Sequence, residues 1–137
     1  MLKVLIVDDS LIIRKKITKI IENLGHEVVY AAKNGVEAIE SYNIKKPDLV
    51  TMDITMPDMD GITAVKKIIE NDNDAKIIMV TSHGQEDMVI KSIQSGAMGY
   101  ILKPISDDKL AQSIGEVFPK YAVYKEEDEL NLLDDEL

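Results

Sequence analysis

A chain of 137 residues, 45% hydrophobic and 30% charged, suits one compact domain with a real core, and the absence of cysteine removes disulfides and thiolate metal sites. The net charge is −9, and seven of the acids but none of the bases fall in residues 126–137. The rest is close to neutral and lacks the basic surface that nucleic acid requires, and no apolar run is long enough to span a bilayer.

The pattern alternates strand and helix five times. Lys3 to Val7 reads as a buried strand, with no room before it for the apolar stretch of a signal peptide, so a cytoplasmic protein is expected. Leu11, Ile13, Ile17, Ile20, Ile21 and Leu24 then recur at helical spacing, with Ser10 as N-cap and Gly25 as the terminating residue. A second strand spans about 27–31. Asn34-Gly35 opens a helix carrying Val36, Ile39 and Tyr42, and Pro47 closes that connection. The third strand runs into Asp53, and the Pro, Asp and Gly content of residues 54–61 predicts a loop.

A third helix carries Ile62, Val65, Ile68 and Ile69. The fourth strand ends at Thr81, and a fourth helix carries Met88 or Val89, Ile93 and Ala97. The fifth strand stops at Pro104, which has no N–H to continue a ladder. A last helix begins after Ser106, with Leu110, Ile114, Val117 or Phe118, and Tyr121 on its apolar side. Strands one, three and four are apolar on both faces, which predicts a doubly wound α/β fold: five parallel strands with helices on both faces.

In such a fold Asp8, Asp9, Asp53, Thr81 and Lys103 all stand at strand carboxyl ends and meet at one edge of the sheet, where ligands bind. Three carboxylates there repel one another and imply a divalent cation. A hydroxyl and an ammonium beside them imply an anion such as a phosphoryl group. Each residue also has a plainer reading as cap, turn, strand or surface residue, and the grouping is what favours the site.

Val7-Asp8-Asp9-Ser10, Met52-Asp53 with Met56-Pro57 and Gly61, Val80-Thr81-Ser82, and Leu102-Lys103-Pro104 together resemble the receiver domain of two-component response regulators. The resemblance covers residues 1 to about 122, and the length is most like the stand-alone chemotaxis regulators of the CheY type. It implies a flavodoxin-like receiver fold. CheY is a standard example of that fold's strand order, so the order comes with the resemblance. The resemblance also implies Asp53 as phosphoacceptor for a sensor histidine kinase, with Lys103 and Thr81 assisting. Mg²⁺ is implied on Asp9, Asp53 and the backbone carbonyl of Thr55, with Asp8 acting partly through water.

A cis Lys103–Pro104 bond, a switch through Thr81 and Tyr100, and an output face on helix four, strand five and helix five are also implied. For Tyr100 a half-buried strand tyrosine is a close competitor. Thr55 and His83 flank the approach of water and are expected to tune the acyl-phosphate lifetime, although solvent is the favoured surrounding for His83. The expected protein is a monomeric signalling switch and not a turnover enzyme, with a flagellar motor switch protein as output partner and neither nucleic acid nor membrane bound.

A phosphorelay intermediate and a receiver cut from a longer regulator are the other readings. An aspartyl-phosphate hydrolase is a minor one, since Thr55 stands where its second acid belongs, and so is a flavin module. The domain is expected to end at 124. Residues 125–137 are expected to be a flexible acidic tail, with partner binding or self-masking through Leu130, Leu132 and Leu133 as the sharper idea.

Overall fold

The computed structural model describes residues 1–123. Five strands, β1 (Lys3–Val7), β2 (Glu27–Ala32), β3 (Leu49–Met52), β4 (Ile77–Thr81) and β5 (Gly99–Leu102), form one sheet in the order β2-β1-β3-β4-β5. Every neighbouring pair is parallel. Five α-helices connect or follow them: α1 (Leu11–Asn23), α2 (Gly35–Lys45), α3 (Gly61–Asn71), α4 (Glu86–Gln94) and α5 (Asp107–Val117). Among the described residues no helix is long and apolar enough to cross a membrane.

Side chains alternate across a strand, so each central strand feeds two cores. Leu5, Val7, Val50, Met52, Ile77 and Met79 pack with α2 and α3 through Ala38, Tyr42, Val65 and Ile68. Val4, Ile6, Leu49, Ile78, Val80 and Ile101 pack with α1 and α5 through Ile17, Ile21, Leu110 and Ile114. Four helices start on a side-chain cap. Ser10, Asn34, Asp60 and Ser106 accept from the N–H of Ile13, Glu37, Thr63 and Lys109. Each such cap contributes about 1 kcal/mol and fixes the point where the chain leaves the strand edge. α4 starts at Gln85 with no side-chain cap.

Three apolar positions expected to face the core do not. Leu11 is 56% exposed, Val36 44% and Ile93 57%. In α4 the buried side chain is Ser92, whose hydroxyl donates to the Met88 carbonyl at 2.8 Å. A short helix with apolar residues at Met88, Val89, Ile90 and Ile93 does not announce which side turns inward, and here the small Ser92 does. α5 also ends at Val117 and does not reach Tyr121. Pro119 disfavours a helical Phe118 and starts a separate 3₁₀ turn, Pro119–Tyr121. The expected boundary at 124 and the acidic segment lie outside the described residues.

Candidate functional site

Parallel pairing places Val7 beside Met52 and Thr81 beside Leu102, so Asp8, Asp53 and Lys103 follow at the same edge of the sheet. Lys103 Nζ donates to Asp8 Oδ2 at 2.8 Å and to Asp53 Oδ2 at 3.4 Å. Asp8 is 1% exposed and Asp53 6%, whereas Asp9 is exposed. One carboxylate oxygen from each of Asp8, Asp9 and Asp53 lies within 4.8 Å of the others. Asp53 Oδ1 accepts the Ile54 N–H at 2.9 Å, which orients the carboxylate.

The electrostatics are unbalanced. Burial, and then the charge of Asp8, push the Asp53 carboxyl above its usual range, against the pull of Lys103 and the Ile54 N–H. For Lys103 burial acts to lower the pKa, but the hydrogen bond to Asp8 and the charge of Asp53 outweigh it, so the ammonium is held more firmly than usual. Asp8 and Asp53 share one ammonium, Asp9 stands beside them, and the donor set of the three is all oxygen. That chemistry fits a hard divalent cation such as Mg²⁺.

Thr81 is fully buried at the end of β4. Its carbonyl accepts the Lys103 N–H at 2.9 Å, and its hydroxyl accepts the His83 N–H at 3.3 Å. The Lys103–Pro104 peptide is cis. Tyr100 is half-buried, and its hydroxyl donates to the His83 carbonyl, tying β5 to the β4–α4 connection. Thr55 is exposed two residues beyond Asp53, and its hydroxyl is hydrogen-bonded to His83 Nε2 at 2.5 Å. His83 is half-buried, and its ring, expected to face solvent, is bonded to Thr55 at the exposed rim of the site.

Four further residues support the site, of which Arg14 and Lys109 were not singled out from the sequence. The Ser10 N–H donates to Asp8 Oδ1 at 2.9 Å, and Arg14 Nη1 donates to the Asp8 carbonyl at 2.8 Å. Lys109 Nζ donates to the carbonyls of Pro104 at 3.0 Å and Leu102 at 3.4 Å, on either side of Lys103. Gly61 donates its N–H to the Ile54 carbonyl at 2.7 Å, and a Cβ there would sit 1.8 Å from the Asp53 carbonyl oxygen. Ser10 and Gly61 carried a signal, Ser10 as N-cap and Gly61 as the last residue of a turn-rich loop, and both stand in the receiver motifs. The basic residues look like other surface charges until the fold turns them back toward the strand ends.

Comparison with known proteins agrees with this geometry. The model of the response regulator receiver domain matches residues 4–115. The chemotaxis protein CheY of Bacillus subtilis (strain 168) is 49% identical over 114 residues, which are 83% of this chain and 95% of that protein. CheY of Thermotoga maritima is 46% identical over 115 residues, 84% of this chain and 96% of that one. Among solved structures, the CheX-CheY-BeF3-Mg+2 complex from Borrelia burgdorferi contains a chain that superimposes with a TM-score of 0.82 at 40% identity, covering 85% of this chain and 88% of its own. A match that begins in β1, ends in α5 and takes in all the strand ends described above shows that the chain belongs to the response regulator receiver domain family, as a CheY-like member.

Proposed function

We propose that this chain is a phosphorylation switch in chemotaxis signalling. Asp53 accepts a phosphoryl group from a phosphohistidine of a sensor histidine kinase, and a flagellar motor switch protein reads the result. The observation that carries this reading is the nearly buried Asp53 carboxylate competing with Asp8 for one ammonium. Such a carboxylate is preoriented, poorly neutralised and placed beside a group able to receive phosphoryl charge.

An Asp53 carboxylate oxygen bonds to phosphorus while the phosphorus–nitrogen bond of the donor breaks, and the imidazole keeps the electron pair and takes up a proton. Lys103 exchanges its contact with Asp53 for a phosphoryl oxygen, and the Thr81 hydroxyl donates to another. Asp9, Asp53 and the Thr55 carbonyl would hold Mg²⁺, with Asp8 acting in part through water. When bound, the cation neutralises the developing charge on the phosphoryl oxygens. A relative whose complex contains BeF3 and Mg supports that assignment.

The acyl phosphate adds about −1.5 to −2 charges at Asp53. Thr81 and Tyr100 then act as the switch, and α4, β5 and α5 form the output face. The hydrogen-bonded Thr55–His83 pair sets the rate at which water removes the phosphoryl group. The chain does this as a cytoplasmic monomer, bound to neither nucleic acid nor membrane, and it catalyses its own modification without turning over a metabolite.

The test is mass spectrometry after incubation with phosphoramidate and Mg²⁺. One added phosphoryl group, lost in Asp53→Asn and without Mg²⁺, is the expected result. No incorporation, or equal incorporation in the variant, would overturn the reading. The output is tested separately, by whether a motor switch protein binds only the form carrying beryllofluoride and Mg²⁺.

A further inference from the structure

Asp8 is held at four points by four parts of the chain. Its N–H donates to the Ala32 carbonyl of β2 at 3.1 Å, and its Oδ1 accepts from the Ser10 N–H at 2.9 Å. Its Oδ2 accepts from Lys103 at 2.8 Å, and its carbonyl accepts from Arg14 Nη1 at 2.8 Å. The first bond continues the β1–β2 pairing, the second is a tight turn closed by the Asp8 side chain, and the third belongs to the charged site. The fourth comes from a long side chain of α1 that the proposed chemistry does not use.

A guanidinium on a carbonyl is a charge-assisted bond, short and directional. The Asp8 carbonyl lies in the same rigid peptide plane as the Asp9 N–H. Pinning that carbonyl therefore fixes the plane from which Asp9 projects. Asp9 is the exposed member of the acidic cluster, so its direction depends more on its backbone than on packing. Arg14 also lines an open groove between α1 and β2 together with Lys15, Thr18, Lys19, Glu22 and Ala31.

We infer that Arg14 is a positioning residue for the divalent cation: by holding the peptide plane between Asp8 and Asp9 it aims the two carboxylates at Asp53. The inference rests on the reading of this edge as a Mg²⁺ site. Groups that orient metal ligands from outside typically change affinity about 10–100-fold, and a single bond to backbone belongs at the lower end.

The experiment is calorimetric titration of Mg²⁺ into the unphosphorylated chain, so its readout does not depend on phosphoryl transfer. Arg14→Met, which keeps the stem, is expected to weaken Mg²⁺ about tenfold, and Arg14→Lys, which keeps a donor of shorter reach, about threefold. Lys19→Met removes the same charge from the same groove and is expected to stay within about twofold of the unaltered chain. Amide NMR signals of Asp9 and Ser10 should move in Arg14→Met while those of Glu27 and Asp48, at the far edge of the sheet, stay in place.

Arg14→Met binding as tightly as Lys19→Met would overturn the inference. Should Arg14→Met fail to fold, Arg14→Lys decides, and an affinity equal to that of the unaltered chain overturns it. An unaltered chain that binds no Mg²⁺ would remove the proposed function as well, which distinguishes that failure from the failure of Arg14 alone.

Discussion

At the carboxyl edge of the sheet Asp8 and Asp53 share one ammonium, whereas at the amino edge several polar groups have partners of their own. There the Leu2 N–H donates to His26 Nδ1 at 3.0 Å, the Lys3 N–H to Asp48 at 2.8 Å, and the Tyr42 hydroxyl to Asp72 at 2.7 Å. Two aspartates show the contrast. Burial and Asp8 push Asp53 up, while the Tyr42 hydroxyl and the Asp74 N–H pull Asp72 down. Satisfied groups hold a fold together. Unsatisfied ones, kept in place by the rest of the structure, are what a cation and a phosphoryl group can pay for.

The largest expected effect breaks the carboxyl edge at Lys103, the ammonium that contacts its carboxylates. Lys103→Met should slow phosphoryl uptake from a small donor by about 100-fold, the scale of removing one preorganised charge donor. The same variant should bind Mg²⁺ more tightly at rest, because a competing ammonium has gone. Single-turnover kinetics and calorimetry check the two parts, and a rate within about fivefold of the parent would remove the role of Lys103.

Next in size is a gain in stability. Asp53→Asn, without divalent cations at pH 7, should raise the melting temperature by about 3–5 °C. A folded-state pKa above the unfolded value means that the ionised carboxylate costs stability once pH exceeds the raised value, and that the cost vanishes below the usual carboxylate range. The gain should therefore shrink as pH falls. A lower melting temperature in Asp53→Asn would contradict the unbalanced carboxyl edge.

The amino edge should respond with the opposite sign. Tyr42→Phe removes one partner of a satisfied pair and should lower the melting temperature by about 2–3 °C. A stability gain there would erase the distinction between the edges. The smallest effect is expected at His26, which is 8% exposed. Burial and the nearby amino terminus hold its pKa below 6.5. The unfolded chain takes up that proton first, so the stability His26 provides is complete above about pH 6.5 and declines as pH falls toward the lower folded value. Melting curves from pH 7 to 5 should slope less in His26→Gln than in the parent, and equal slopes would sharpen the comparison against His26.

The sequence made the carboxyl edge legible because parallel strands bring the ends of separate apolar runs together, so Asp8, Asp53 and Lys103 could be grouped without knowing any contact. What it left hidden depends on which way a surface element turns. The inward side of α4 runs through Ser92 and not Ile93, where a small hydroxyl can bond back to the Met88 carbonyl. His83 reaches Thr55 through the path of a short loop, and Arg14 looks like any of the basic residues of α1 until its reach to the Asp8 carbonyl is seen.

The bond from Gly61 to Ile54 has a further consequence. It closes residues 54–61 into a noose knotted directly beneath Asp53, with helix α3 as the standing end of the rope. A noose can be widened without moving its knot. The exposed Pro57 and Asp58 are the places open to such change, because Met56 and Met59 pack against the core. The knot itself admits only a residue without a side chain.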